Sequence, residues 1–161
     1  MGHLIAFTLS VLLALMNAPN DQSRSMEKKA VPDVEFAHSG AIEGLTADGF
    51  EFSTEGYKSS DGISLSVTRI RCQTAETAER LMTQTLDNAK SVIRRDKLFD
   101  ENGKQVGRRV IASFETQKAS SSTPAILWTN NNTFFKIDSP SIDHSLLLEE
   151  NLFHNIIRRE N

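Results

Sequence analysis

The apolar residues of this chain recur at two different spacings, and these spacings limit it to a fold that mixes strands with helices. Several short segments alternate apolar with polar residues, which is the pattern of a strand with one buried face. Two longer segments carry apolar residues three and four positions apart, which is the pattern of one helix face. The predicted strands are residues 49–53, 63–67, 106–115, 126–129 and 133–137, and the predicted helices are residues 74–98 and 141–159.

Turn residues separate the predicted strands by distances short enough to favour antiparallel pairing. Gly56 and the Ser-Ser-Asp-Gly segment at residues 59–62 lie between the first two strands, and three asparagines at residues 130–132 lie between the last two. Asn and Gly tolerate the positive φ angles that tight hairpin turns require. The predicted fold class is therefore α+β: a mostly antiparallel twisted sheet of about five strands, with two helices packed on one face.

The N-terminal segment is apolar and carries no charge before Asp21. Residues 4–16 suit the core of a signal peptide and fall short of the roughly 20 residues that a membrane-spanning helix needs. No Lys or Arg precedes this segment, and Met16 is a poor residue three positions before a cut after Ala18. We predict a signal peptide or apolar anchor at residues 1–18, a flexible linker at residues 19–32, and a single α+β domain at residues 33–161. The alternative is that residues 4–16 form a buried helix of the domain.

This leader predicts a secreted or periplasmic location, with membrane attachment only through the N-terminal segment if it stays uncleaved.

The formal net charge of −3 argues against nucleic acid as a partner, because binding a phosphate backbone requires a basic excess. The charge is nevertheless uneven. Residues 33–55 contain acidic residues and no Lys or Arg, whereas residues 69–109 are rich in basic residues. The two segments either neutralise each other inside the molecule or attract a charged partner.

Arginines on two predicted strands are the candidate binding residues. Arg69 and Arg71 continue the alternation of the strand at residues 63–67, and Arg108 and Arg109 lie on the strand at residues 106–115. If these strands are neighbours, their guanidinium groups gather on the sheet, where they suit the capture of a carboxylate. The alternative is a solvated sheet face whose arginines pair with the acids of residues 33–55.

No catalytic residue, metal ligand or cofactor site is assigned. The single cysteine, Cys72, precedes a predicted helix and is either a reactive thiolate or a small buried apolar residue.

Ser141, Asp143 and His144 are the residue types of a hydrolase triad, but nearly successive helix positions point in different directions and cannot converge. Ser141 and His144 are expected to form a helix-capping arrangement instead. His144 and His154 are ten residues apart, which on a helix places them on different faces, so they are not expected to bind one metal ion. The glycines form no phosphate-binding loop.

The leading prediction is an exported, noncatalytic binding or interaction domain whose partner is a protein or a small anionic ligand. The first alternative is a small enzyme that uses Cys72, or a histidine with carboxylates assembled by the fold. The second alternative is a carrier that encloses an apolar ligand. Asn131 also begins an N-glycosylation sequence in a predicted exposed turn, which matters only in a host that glycosylates exported proteins.

Overall fold

The computed structural model describes residues 34–116 and 122–153, and the backbone of residues 157–160. These residues belong to one compact unit, Asp33–Asn161. The predicted leader and linker, residues 1–32, lie outside the described residues, so their assignment stays a prediction. Neither helix within the described ranges is long and apolar enough to span a membrane.

The described residues form one antiparallel sheet and two helices, which supports the predicted α+β class. The sheet order is β1-β2-β3-β7-β6-β5-β4-β8, and each pair of neighbours is antiparallel. The prediction of about five strands is wrong, because seven strands of six or more residues are joined by an eighth of four residues. In chain order the elements are β1 (Phe36–Leu45), β2 (Glu51–Ser59), β3 (Ser64–Arg71), α1 (Ala75–Leu86), β4 (Ala89–Phe99), β5 (Gln105–Glu115), β6 (Ser122–Asn130), β7 (Thr133–Asp138), α2 (Ile142–Leu152) and β8 (Ile157–Glu160).

Both predicted hairpins are confirmed. β2 pairs with β3 across the turn that contains Asp61 and Gly62, and Gly62 has a φ of 94°. β6 pairs with β7 across a turn in which Asn131 adopts a φ of 52°. Gly56, however, lies inside β2 instead of in the turn. Asn and Gly occupy the turn positions because they accept a positive φ at little cost.

The first helix is shorter than predicted. α1 begins after Thr74, whose side chain accepts a hydrogen bond from the Thr77 N–H as expected of an N-cap, and ends at Leu86. The rest of the predicted helix, through residue 98, is strand β4, which pairs with β5 along its length. Apolar spacing continues across the boundary, but β-branched Val92 and Ile93 favour a strand once a partner strand is available. The bulges of β4 conceal its alternation, because each bulge shifts the side chains to the other face.

The second helix also ends early. Ser141 is its N-cap, and its Oγ accepts a hydrogen bond from the His144 N–H, which confirms the predicted capping role. α2 ends at Leu152, so the prediction of a helix to residue 159 is wrong. The backbone of Ile157–Glu160 pairs with β4 as strand β8. His154 lies outside the described residues.

The two helices pack on opposite faces of the sheet, so the prediction that both lie on one face is wrong. Alternate residues of β6 belong to different cores: Leu127 packs with Met82 of α1, and Trp128 packs with Leu148 of α2. Successive strand residues point to opposite faces, so the central strands β5, β6 and β7 are apolar on both. The domain therefore has three layers, with an α1-side core and an α2-side core separated by the sheet.

Candidate functional site

The structure does not bring the four predicted arginines together. Strands β3 and β5 are separated by β7 and β6, so the condition for one arginine cluster is not met. Arg69 and Arg71 lie on the same face of β3. Arg108 and Arg109 are adjacent on β5 and therefore point to opposite faces. The arginines occupy three separate environments.

Arg109 is a buried structural residue between two carboxylates. Its Nη1 lies 2.7 Å from Asp96 Oδ2, and its Nη2 lies 2.7 Å from Glu149 Oε2. The side chains of Arg109 and Glu149 are each 3% exposed, and that of Asp96 is fully buried. Burial acts to lower the pKa of Arg109, but hydrogen bonds and charge attraction from Glu149 and Asp96 outweigh it and raise that pKa. Arg109 therefore joins β5 to β4 and α2 and is not available to a ligand.

Arg108 has a comparable internal role on the α1 side. Its Nε donates to the carboxylate of Glu79, and its Nη2 lies 2.9 Å from Thr83 Oγ1. Glu79 also accepts a hydrogen bond from the Thr129 hydroxyl of β6. Arg108 is thus held by α1 and is only partly exposed.

Arg69 is exposed and lies against an aromatic ring. Its guanidinium carbon is 5.5 Å from the centre of the Phe135 ring. Phe135 stacks in turn on Trp128, with ring centres 4.9 Å apart and planes inclined by 4°. These residues follow one cross-strand row, since Arg69 is opposite Phe135 and Phe135 is opposite Trp128. A guanidinium over an aromatic face is attracted by the ring quadrupole and keeps its N–H edge free for hydrogen bonds.

Arg69 and Arg71 line a surface groove of about 580 Å³, which we call the β1–β3 groove. Arg71 Nη1 lies 3.9 Å from Glu51 Oε2, and both side chains are 72% exposed. The acidic strands β1 and β2 thus lie beside the basic end of β3. This placement agrees with the alternative in which the acidic and basic segments neutralise each other inside the molecule. The groove is lined by Glu43, Gly44, Leu45, Glu51, Phe52, Ser53, Arg69 and Arg71.

Cys72 is buried, as expected for a small apolar residue. It belongs to the α1-side core with Ala78 and Met82. Burial raises the pKa of the Cys72 thiol, and the charge of Arg80 offsets this effect only in part. Because the thiolate is the nucleophilic form of cysteine, a raised pKa and a buried sulfur make Cys72 a poor nucleophile.

A second polar cluster lies where the β2–β3 turn meets the start of α2. His144 Nε2 lies 2.8 Å from Asp61 Oδ2, and His144 Nδ1 lies 2.7 Å from Ser141 Oγ. The Ser59 hydroxyl donates to the other oxygen of Asp61. Hydrogen bonds hold the pKa of Asp61 below its ordinary value, and the bond from Ser59 contributes more than the bond from His144. Asp143 has no part in these bonds.

Sequence reasoning did not find this cluster because its acid comes from a distant turn. Asp61 and His144 are 83 positions apart, and only the packing of the β2–β3 turn against α2 joins them. The residues around Asp61 and those around His144 show no sequence spacing that would indicate this contact. The Ser141–His144 half of the cluster is visible in the sequence as a capping pattern.

In the described residues, no group of three or more His, Cys, Asp or Glu side chains is placed to hold a metal ion. No protein-family model matches the chain, no curated protein matches it, and no solved structure matches it.

Proposed function

We propose that this protein is an exported binding domain and that its β1–β3 groove binds a carboxylate-bearing partner. The observation that carries this proposal is the placement of Arg69 and Arg71 on one face of β3 within the groove. Two guanidinium groups on alternate residues of a strand can contact one carboxylate or two neighbouring ones. Export is the part of the proposal that depends on the apolar N-terminal segment.

Arg69 is the primary ligand-binding residue of this proposal. Within the described residues its side chain makes the aromatic contact with Phe135 and no ion pair. That contact restrains the guanidinium group, so less conformational entropy is lost when the group binds an anion. Arg71 supports it, because the long, exposed pair with Glu51 is weak and exchanges readily for a ligand.

The acids of the groove restrict the class of partner. Glu43 and Glu51 face the same groove as the two arginines. A ligand that carries only negative charge would be attracted by Arg69 and repelled by these carboxylates. A partner that presents a carboxylate next to a cationic group, such as a zwitterion or a mixed-charge protein surface, matches both sides of the groove.

An apolar carrier is less well supported. In the described part of the chain, Trp128, Phe135 and Leu148 fill the α2-side core with their own side chains. The β1–β3 groove carries four charged residues, and an alkyl chain would leave these groups without polar partners.

The test is a titration of the full chain with an amino-acid zwitterion and with acetate, followed by NMR chemical shifts. We expect shift changes at Arg69, Arg71 and Ser53, with the zwitterion binding more tightly than acetate. Arg69→Gln should weaken binding at least about tenfold, the effect of losing one charge-assisted pair. The matched control is Arg95→Gln, which removes the same charge from an exposed position on β4.

If Arg95→Gln weakens binding as much as Arg69→Gln, the effect comes from net charge and the groove is not the site. Shift changes that fall outside β1, β2 and β3 would also contradict the proposal.

A further inference from the structure

We propose that Ser141, His144 and Asp61 form a nucleophilic serine site that reacts with small carboxylic esters. The site is separate from the β1–β3 groove, because Asp61 and the groove residue Arg71 lie at opposite ends of the β2–β3 hairpin. The two hydrogen bonds of the His144 ring, 2.7 Å to Ser141 Oγ and 2.8 Å to Asp61 Oδ2, carry the inference.

The bond to Asp61 determines which nitrogen of His144 can act as a base. An ionised carboxylate only accepts hydrogen bonds, so His144 Nε2 donates its proton to Asp61. Nδ1 of the neutral ring then carries a lone pair, and the Ser141 hydroxyl donates to it. The ring nitrogens are exchanged relative to the usual triad, in which Nε2 faces the serine, but either nitrogen can accept the proton.

Asp61 is a positioning residue that is itself held in place. The Ser59 hydroxyl donates to one carboxylate oxygen while His144 occupies the other. Ser59 Oγ also accepts from the Ile63 N–H, 2.9 Å away, which ties the acid to the end of the hairpin. The site reaches the surface through Asp61, whose side chain is 53% exposed, while Ser141 and His144 are partly buried.

The start of α2 supplies the electrostatic part of the site. Ser141 is the N-cap of an eleven-residue helix. The first backbone N–H groups of a helix have no intrahelical acceptor, and they project outward beyond its N-terminal end. The His144 N–H lies 3.5 Å from Ser141 Oγ, and an oxyanion that forms on a carbonyl bonded to Oγ would lie at the positive end of the helix dipole, where it is stabilised.

The proposed reaction is acyl transfer. Ser141 Oγ bonds to the ester carbonyl carbon, and its proton passes to His144 Nδ1. The tetrahedral intermediate collapses, the carbon–oxygen bond to the alcohol breaks, and the proton on Nδ1 leaves with the alcohol. Water then adds to the acyl-serine and loses a proton to Nδ1; collapse releases the carboxylic acid, and Ser141 Oγ takes that proton back.

The experiment treats the full chain with a fluorophosphonate probe and locates the modified residue by mass spectrometry. We expect modification at Ser141 and a burst of nitrophenol from p-nitrophenyl acetate. Ser145 is the internal control, because it lies one turn further along α2 and is buried. His144→Gln should lower the labelling rate about 100-fold or more, the usual contribution of a general base.

The purely structural role of Ser141 predicts a different result. Ser141→Asp keeps an N-cap acceptor, so it should keep the melting temperature while it abolishes labelling. Asp61→Asn should slow labelling, and the ¹⁵N shifts of the His144 ring should show that the preference for Nε2–H is lost. An unlabelled wild-type Ser141, or a labelling rate that His144→Gln leaves unchanged, would overturn the proposal. Neither result bears on the binding of carboxylates in the β1–β3 groove.

Discussion

Arg108 and Arg109 show how much the environment of neighbouring residues can differ on a strand. The two residues have the same chemistry and adjacent numbers, yet one points to α1 and the other to α2. Arg109 is enclosed by Asp96 and Glu149, whereas Arg108 lies at the partly exposed edge of the α1 contact. Desolvation makes a buried charge costly unless its partners remain, so the two positions should respond differently to substitution.

Arg109→Leu should lower the free energy of unfolding by about 3–5 kcal/mol, because it removes the buried cation that Asp96 and Glu149 share, although Asp96 keeps its pair with Arg94. Urea denaturation followed by circular dichroism measures the change. Arg71→Leu, at an exposed pair, should change the same quantity by less than about 1 kcal/mol.

A second substitution checks the cause of that loss. Adding Glu149→Gln to Arg109→Leu removes one of the two buried carboxylate charges that faced Arg109 and should recover part of the stability. Equal losses for Arg109→Leu and Arg71→Leu would mean that the buried ion pairs do not contribute as the geometry indicates.

At the scale of the elements, strand β5 approaches the backbone of β6 closely at Gly107. A Cβ atom added at Gly107 would collide with the backbone carbonyl of Thr129 on β6. Near the same end of β5, the Asn131 N–H donates to the Val106 carbonyl over 2.8 Å, so the β6–β7 turn packs closely here. A glycine is needed because backbone, unlike the end of a flexible side chain, cannot move aside cheaply.

Gly107→Ala is therefore expected to lower the free energy of unfolding by about 2 kcal/mol or more, as overpacking a close backbone contact does. Thermal unfolding monitored by calorimetry gives the value. Gln105→Ala, an exposed change on the same strand, serves as the control and should stay within about 0.5 kcal/mol of wild type. A tolerated Gly107→Ala would show that β5 and β6 can separate at this end without loss.

At the scale of the whole domain, the sheet separates two cores that share no side chain among the described residues. Met82 is buried in the α1-side core and Leu148 in the α2-side core. Changes at well-separated sites add, whereas changes at residues that share partners couple. The three-layer arrangement therefore predicts how pairs of core substitutions combine.

Met82→Val and Leu148→Val should each cost about 1–2 kcal/mol, and the double variant should cost their sum within about 0.5 kcal/mol. The comparison pair is Leu148→Val with Ile126→Val, two residues of the α2-side core, which should deviate further from additivity. Denaturant unfolding of the single and double variants measures both. A larger deviation from additivity for Met82→Val with Leu148→Val than for Leu148→Val with Ile126→Val would contradict the presence of two separate cores.

Local sequence patterns are sufficient to predict the two hairpins and the starts of the two helices. Both hairpins can be predicted because Gly62 and Asn131 accept the backbone angles of their turns. Both helix starts can be predicted because Thr74 and Ser141 are N-caps, whose bonds reach only three residues along the chain. The placement of Arg69 and Arg71 on one strand face follows in the same way from a period of two.

Tertiary structure decides the features that depend on distant partners. Residues 89–98 continue a helical apolar pattern, yet they form β4 because β5 and β8 satisfy the backbone of a strand there. Strand β1 shows little alternation of buried and exposed residues, since nine of its ten residues are exposed. It forms a strand because its backbone pairs with β2. The burial of Arg109 and the meeting of Asp61 with His144 likewise require elements far apart in sequence. Burial and charge pairing are properties of what packs around a residue, and one chain segment does not contain that information.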